Sequence, residues 1–587
     1  MASDTFRALS RAFTKHRQSF LAPFEEWAKK MSPSDWLVVS LLGFVIFLSA
    51  FAMLASVSLG LAVEVPAKGG TYVEGLVGSP RFVNPILALS ETDRDLVALV
   101  YSGLMKANAD GSLSKDIAES YAISDDQVTY TFTIRDDALF QDGQPITAED
   151  VAFTVRTAQN AEIKSPRRAN WEGVVTTVID PKTISFTLKS PYAPFLENTT
   201  LGILPHTLWQ SVSAEEFPFS TLNAEPVGSG PYRLQSVKHN SSGIPIEYRL
   251  KTFSRGVRVP FIDQFIFRFY QNSDALKTAL NQGEVNAAHS VDPAQVTAST
   301  ALNEAIFGRI FGVFFNQNQN DIFLEEPVRK ALDRAVDKQT IVSTVLGGYG
   351  SVIDGPLPQN GREDGAVSAS GEDRVQQAVA ILESAGWKRG EDGIFEKTVK
   401  KEKKRLSFSL STANAPELKE TAESVARDWR NLGAEVELQF FEQNDLNTEV
   451  LRPRKYDALL FGLVVGHDLD LFAFWHSSQR NDPGLNIALY ASIDADKQLE
   501  KARTEYDPER RRENAIAAAK IIQNEHAAVF LYAPHFLYLV PKDVYGMALG
   551  TIATPSDRFA SVDEWYMQSA RVWPLFSDFK RSLNIQN

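Results

Sequence analysis

Hydrophobic positions along this chain follow different periods in different stretches. From Trp36 to Val63 there is no charged residue at all. As a helix this run is about 42 Å long at about 1.5 Å per residue, more than the roughly 30 Å of a bilayer's hydrocarbon core. It predicts a membrane-spanning helix over 36–63. Val65-Pro66-Ala67-Lys68-Gly69-Gly70 then reads as a linker, and 71–77 as a first strand. Between 89 and 105, Leu96, Leu99, Val100 and Leu104 fall on one side of a helix. Val128 to Arg135 alternates apolar and polar strictly, which predicts a half-buried strand. Asp142-Gly143 is a turn, and Thr147 with Asp150 three residues on forms a capping box opening a helix. Asp180-Pro181-Lys182 is a second turn, leading to a strand over 183–188.

Further on, the period changes to an alternation of helix and strand. Pro327 stands at a first helical position, and Val328, Ala331, Leu332, Ala335 and Val336 recur at helical spacing. Helices are predicted over 372–385, stopped by Gly386, and from Asn414-Pro416 to Gly433. Strands are predicted over 406–410, 434–440 and 456–465. The basic run 397–405 reads as a solvated hairpin between elements. The first stretch is thus β-rich with interspersed helix, and the later one is an α/β lobe.

Composition adds limits rather than identity. Of 587 residues, 44% are hydrophobic and 23% charged, which is globular usage and excludes a chain built of many membrane spans. The net charge of −13 disfavours general binding to nucleic acid. No cysteine is present, so disulfides, thiolate metal sites, catalytic thiols and a lipid-bearing N-terminal cysteine are excluded. Arg7, Arg11, Lys15, Arg17, Lys29 and Lys30 precede the apolar run, and only Lys68 follows it before Arg81. That bias places residues 1–35 as a cytoplasmic basic tail, lying on the inner membrane surface or solvated, with the bulk outside. A cleaved signal at Ala50-Phe51-Ala52 is the alternative to an uncleaved anchor.

Catalytic motifs are scarce. There is no phosphate loop, no His-Glu-x-x-His and no Gly-x-Ser-x-Gly. Gly228-Ser229-Gly230 runs into Pro231, which lacks the N–H a phosphate cradle needs; it reads as a tight turn into a strand from Tyr232. None of the eight histidines forms a close pair at metal spacing, although His467 and His476 share a region. Asp468 and Asp470 carry three readings: a structural tie for a loop or helix start, a ligand contact, or a general acid and base.

Several blocks in order carry a resemblance. They include Phe82-Val83-Asn84-Pro85-Ile86, Val100-Tyr101-Ser102-Gly103-Leu104, Ala118-Glu119-Ser120-Tyr121, Phe140-Gln141-Asp142-Gly143-Gln144-Pro145, Val227-Gly228-Ser229-Gly230-Pro231-Tyr232, Val328-Arg329-Lys330-Ala331-Leu332 and Phe474-Trp475-His476-Ser477. Together the chain from residue 68 onward resembles the family 5 extracellular solute-binding proteins of ABC importers, the dipeptide, oligopeptide and nickel-binding group. The resemblance implies an α/β, two-lobed periplasmic-binding-protein-like fold of the large peptide-binding type II subgroup. It implies a first lobe from 66–104, 227–311 and 531–587, a β-rich subdomain from 105–226, and a second lobe from 312–530. Ligand, most readily a peptide, then lies in a cleft that closes by hinge motion, and the partners are ABC permease subunits and the bilayer. The receptor is expected to be a monomer without cofactor, metal or catalytic residues.

Asn84, Val465, Gly466, His467, Asp468 and Trp475 are the implied cleft residues. Peptide binders of this family hold the ligand's ammonium with an Asp in the loop after the strand that here ends near Val465. Val465 or Gly466 stands at that place, so a free-amine contact there is missing unless Asp468 replaces it. A signalling receptor of the same fold, an exported hydrolase using Asp468 and Asp470, and a metal receptor as in the nickel branch, tested by His467→Ala, are the rival readings.

Overall fold

The computed structural model describes residues 31–61, 63–358 and 371–573. A small unit lies within 1–66 and 569–586, and a large one comprises 67–568.

The small unit contains the helix Pro33–Leu61. Ser32 and Asp35 start it reciprocally, the Asp35 amide donating to Ser32 Oγ at 3.2 Å and the Ser32 amide to Asp35 Oδ2 at 3.1 Å. Trp36, Leu41, Phe44, Phe47 and Met53 are all exposed. A helix apolar on every side has no face suited to water. Its segment Pro33–Met53, 21 residues of mean hydropathy 2.4, is long and apolar enough to cross a membrane. Ala50-Phe51-Ala52 lies inside this helix, while residues 1–30 of the basic tail lie outside the described residues. Val63–Ala67 and Gln568–Val572 form a two-stranded ribbon, with Arg571 Nε 3.3 Å from Glu64.

The large unit is two-lobed. Ten strands follow one another in a single hydrogen-bonded path: Glu435–Phe441, Ser407–Ala413, Ala458–Val464, Arg309–Phe315, Ala528–Pro541, Ala287–His289, Thr71–Val77, Gln264–Tyr270, Pro245–Thr252 and Tyr232–His239. The 14-residue strand Ala528–Pro541 belongs to both halves. Its first residues pair with 311–314, and from His535 onward it pairs with 300–306. On one side of it the apolar core draws on Tyr72, Leu96, Phe265, Tyr538 and Trp565. On the other side two cores form, one around Phe315, Trp387 and Trp429 and one around Phe314, Trp475 and Phe530. These two sides are the first and second halves below.

An antiparallel four-stranded sheet, Ala118–Ile123, Thr129–Ile134, Thr183–Thr187 and Val175–Asp180, extends the first half. Tyr130, Phe132 and Ile134 point alternately into its core. The capping box at Thr147 forms as its spacing requires, with the Thr147 amide and hydroxyl both on Asp150 Oδ2 at 2.8 and 2.6 Å. The helix expected over 89–105 is shorter, Glu91–Val100, because Met105–Ala107 leaves it to pair with Leu113–Lys115. In the second half Gly433, at φ +109°, ends the helix Pro416–Leu432. The basic run forms the expected hairpin, Phe395–Val399 against Glu402–Arg405.

One ionic cluster locks the first half. Arg558, fully buried, places its two terminal nitrogens on Asp95 at 2.8 and 2.7 Å and its Nε on Glu74 at 3.0 Å. The Tyr538 hydroxyl donates to the other Glu74 oxygen at 2.8 Å, and Tyr72 donates to Tyr538 at 2.8 Å. Burial pushes Glu74 up against the opposing pull of Arg558. A buried guanidinium is tolerated only when its donors are satisfied in this way.

Candidate functional site

Two segments cross between the halves. One is the strand Ala528–Pro541, and the other runs from Thr300–Phe307 through Gly308 into Arg309–Phe315. Gly308 joins both sides by its backbone alone. Its N–H donates to Ile552 O of the first half at 2.6 Å, and its carbonyl accepts from Val465 N–H of the second at 2.7 Å. A Cβ at 308 would lie 2.7 Å from Val465 O, so the approach requires glycine.

A cavity flanks each face of this crossing. Phe307, Arg309 and Phe311, alternate residues of the crossing segment, line one of about 570 Å³ together with Glu91, His289 and Tyr349. Arg309 sits over the Phe307 ring at 4.2 Å and 3.7 Å from Glu91 across the cleft. Burial and the nearby Arg94 lower the Arg309 guanidinium against the pull of Glu91. Ile306, from the opposite face, lines a second cavity of about 530 Å³. Its remaining wall includes Val465, Gly466, His467 and Leu469, a stripe of the helix Pro508–Asn524 carrying Arg512 and Ile516, and Asp110-Gly111 from the first half. Both cavities take wall residues from both halves.

The loop after Ala458–Val464 enters this space. Val465 is buried, and Gly466 carries the fold of Asp468 back over it, with Asp468 Oδ1 2.9 Å from where a Gly466 Cβ would stand. His467 Nε2 is 3.3 Å from Asp557 Oδ2 of the first half, and this bond raises its affinity for a proton. Both oxygens of Asp470 are engaged: Oδ1 accepts the Phe472 amide at 3.0 Å and Oδ2 accepts from Arg503 at 2.9 and 2.8 Å. Arg503 lies over Phe472 at 4.0 Å and over Tyr192 of the first half at 5.2 Å. Burial and the charge of Asp470 push Asp468 up. Glu197 is pushed up to about 8 by burial and by Asp468 across the cleft. A further inter-half contact joins Tyr506 to Tyr130 and to the Gln127 carbonyl, each at 2.8 Å.

Val465, Gly466, His467 and Asp468 are therefore together at the cleft. Asn84 and Trp475 are elsewhere. Asn84 has no exposed surface; it donates to Asn223 Oδ1 at 3.0 Å and accepts from the Ile86 amide at 2.9 Å. Trp475 is equally enclosed, among Phe314, Phe530 and Tyr490. Either can act on a ligand only through the backbone it holds in place. His467 and His476 have separate partners, since His476 stacks on Phe472 at 4.0 Å and bonds Ser478. Among the described residues no three His, Cys, Asp or Glu side chains are grouped to hold a metal ion.

The model of the bacterial extracellular solute-binding proteins, family 5 Middle, matches residues 112–483. This chain belongs to that family. The family 5 solute-binding proteins include the oligopeptide-binding protein AppA of Bacillus subtilis, 26% identical to this chain over 524 residues, 86% of this chain and 92% of that one. A solved structure of that AppA with a nonapeptide matches with a TM-score of 0.63 at 24% identity, over 86% of this chain and 100% of that one. NikZ of Campylobacter jejuni, solved with Ni(L-His), matches with a TM-score of 0.64 at 25% identity, over 84% and 99%.

Most of the charged residues on the surface between the two halves were not legible in sequence. Glu91, Glu197, Arg309, Arg503 and Asp557 come from five separate stretches, and no motif links them. Gly308, a glycine between two apolar runs, is the local feature that could have pointed to the close backbone approach at the crossing.

Proposed function

We propose that this family 5 protein is a membrane-tethered receptor that captures a solute outside the cytoplasm, most readily a peptide, and presents it to an ABC permease. The observation that carries this reading is the pair of cavities at the crossing segments, each walled by both halves. A solute there touches both halves at once, so binding favours closure by the difference in contacts between open and closed forms. We take 66–104, 227–311 and 531–587 as the first lobe, 105–226 as its β-rich subdomain and 312–530 as the second lobe. Residues 1–35 form the cytoplasmic tail and 36–63 the anchor, kept uncleaved because no cysteine is available to carry a lipid.

Val465, Gly466, His467 and Asp468 are the ligand-facing residues in this reading, with Asn84 and Trp475 supporting them from behind. The receptor acts as a monomer and performs no reaction. Both oxygens of Asp470 are tied, one to the Phe472 amide and one to Arg503, which fits its reading as a structural tie of the loop. The relatives that bind peptides support the ligand class, as does the size of the cavities. Native mass spectrometry of the full chain in detergent, followed by melting against defined peptides of two to nine residues, tests it. A ligand bound only by the folded state raises Tm. If no peptide co-purifies and none raises Tm, the peptide assignment fails.

A further inference from the structure

His467 does more than line the cleft. A third cavity, about 190 Å³, lies within the first half and is walled by Ser102, Lys106, Asp116, Arg258 and Asp557, among others. Every residue of its wall comes from the first half except His467, which reaches in from the second. Inside, the imidazole Nε2 meets Asp557, while Nδ1 is buried without a partner and lies 3.5 Å from where a Gly111 Cβ would stand. Asp557 is a rigid acceptor, because its carboxylate also receives the Ala553 and Thr554 amides at 2.9 and 2.8 Å. Asp116 Oδ1 and the Nε of Arg258 are buried without hydrogen-bond partners, while Asp116 Oδ2 is ion-paired with the Arg258 guanidinium at 3.2 Å, so the wall of this cavity is only partly satisfied.

We propose that His467 is a proton-dependent latch, inserted into the first half as an imidazolium when the cleft closes, and that closure of this receptor takes up protons. The inference rests on the reading of the cleft as a hinged solute site. The carboxylates facing the imidazole favour its cationic form, against Arg512 and Lys520, which share the wall of the second cavity with it. Asp557 faces it from the 3-10 helix Pro555–Glu564, Asp468 from its own loop and Glu197 from the helix Phe195–Asn198. Arg511, from the helix Pro508–Asn524, acts on Glu197 and Asp468, and Asp470 is neutralised by Arg503. In the cavity wall Arg258 and Lys106 stand against Asp116 and Asp563, which balances them. Asp110 adjoins Gly111, and Arg167 acts on Asp557 from the first half.

The signs agree. His467 is raised by its bond to Asp557, Glu197 by burial and then Asp468, and Asp468 by burial and then Asp470. When the halves separate, His467 loses Asp557 and Glu197 loses the charge of Asp468, whereas Asp470 stays beside Asp468 in their shared loop. The closed form therefore holds more protons than the open one. The contribution of His467 is complete below its ordinary value of 6.5 and is lost as pH rises through its raised value.

The chain has no cysteine, so two introduced ones report cleanly. Lys115→Cys, exposed at the end of the strand Leu113–Lys115 in the first half, and Glu513→Cys, exposed on the helix Pro508–Asn524 in the second, put one label on each half without altering the lining of the second cavity. Spin-label distances are measured on the full chain in lipid nanodiscs without solute, at about pH 5.5 and about pH 8.5, on either side of the histidine range. The expected result is a short distance dominating at the lower pH and a longer one at the higher. His467→Gln should reduce the response, and His467→Gln with Glu197→Gln should remove most of it, with Tm confirming that each variant folds. An unchanged distribution across pH in the parent, or an undiminished response in the double variant, overturns the latch. Solute that still shortens the distance in that case leaves the hinged cleft intact. Distances that stay fixed with every peptide at every pH remove the cleft reading itself.

Discussion

Arg558 and His467 each carry a basic group to a carboxylate that is distant in sequence, in very different surroundings. Arg558 is fully buried within one half, and its three nitrogens all have partners on Asp95, Glu74 and the Pro555 carbonyl. His467 crosses from one half to the other, keeps one bond to Asp557 and leaves Nδ1 unpaired beside other unpaired buried atoms. A complete network in a low dielectric is costly to open, because opening exposes uncompensated charge to the same interior. An incomplete one loses little when it opens, since water replaces the single bond and satisfies the orphans. The first is suited to hold a lobe rigid and the second to let lobes part.

The comparison breaks most readily at Arg558. Arg558→Met leaves Glu74 and Asp95 buried together, and denaturant unfolding should show a loss of about 3–5 kcal/mol. A loss below about 1 kcal/mol would mean that the cluster is solvated and the contrast mistaken. Gly308→Ala should come next, at about 1–3 kcal/mol, because its Cβ would stand 2.7 Å from Val465 O and force the two halves apart at the crossing. Solute affinity measured by calorimetry should fall with it; an unchanged affinity would separate the crossing from closure. Tyr506→Phe removes the hydroxyl that meets Tyr130 and Gln127. It should cost about 1 kcal/mol and shift the spin-label distances toward the open form. The smallest global effect is expected from His467→Gln, under about 1 kcal/mol by chemical denaturation. Its signature is the flattened pH dependence of closure, and a large loss of stability instead would place His467 with Arg558 as scaffold.

Much of the architecture was readable from local pattern. The alternation over 128–135, the Thr147 capping box and the Gly433 stop each depend on neighbours within a few residues, and each appears at or within a residue of its expected place. Readings that needed distant partners did not follow from pattern. The helix expected to run to 105 stops at Val100 because Met105–Ala107 finds a strand partner in Leu113–Lys115. Trp475 suggested a ligand contact by its motif, yet Phe314 and Phe530, both far along the chain, enclose it.

By itself the sequence determined the uncharged helix near the N-terminus, the absence of thiol chemistry, the β-rich and α/β stretches and, through an ordered set of short blocks, the family. These follow from periodicity and residue type, which are local properties. Only the tertiary structure decided which charges face one another. Glu91 meets Arg309, Asp557 meets His467, and Glu197 faces Asp468 because Gly308 and the strand Ala528–Pro541 bring two separately packed halves to one cleft. Electrostatic coupling depends on distance and burial in space, and no spacing along the chain encodes either.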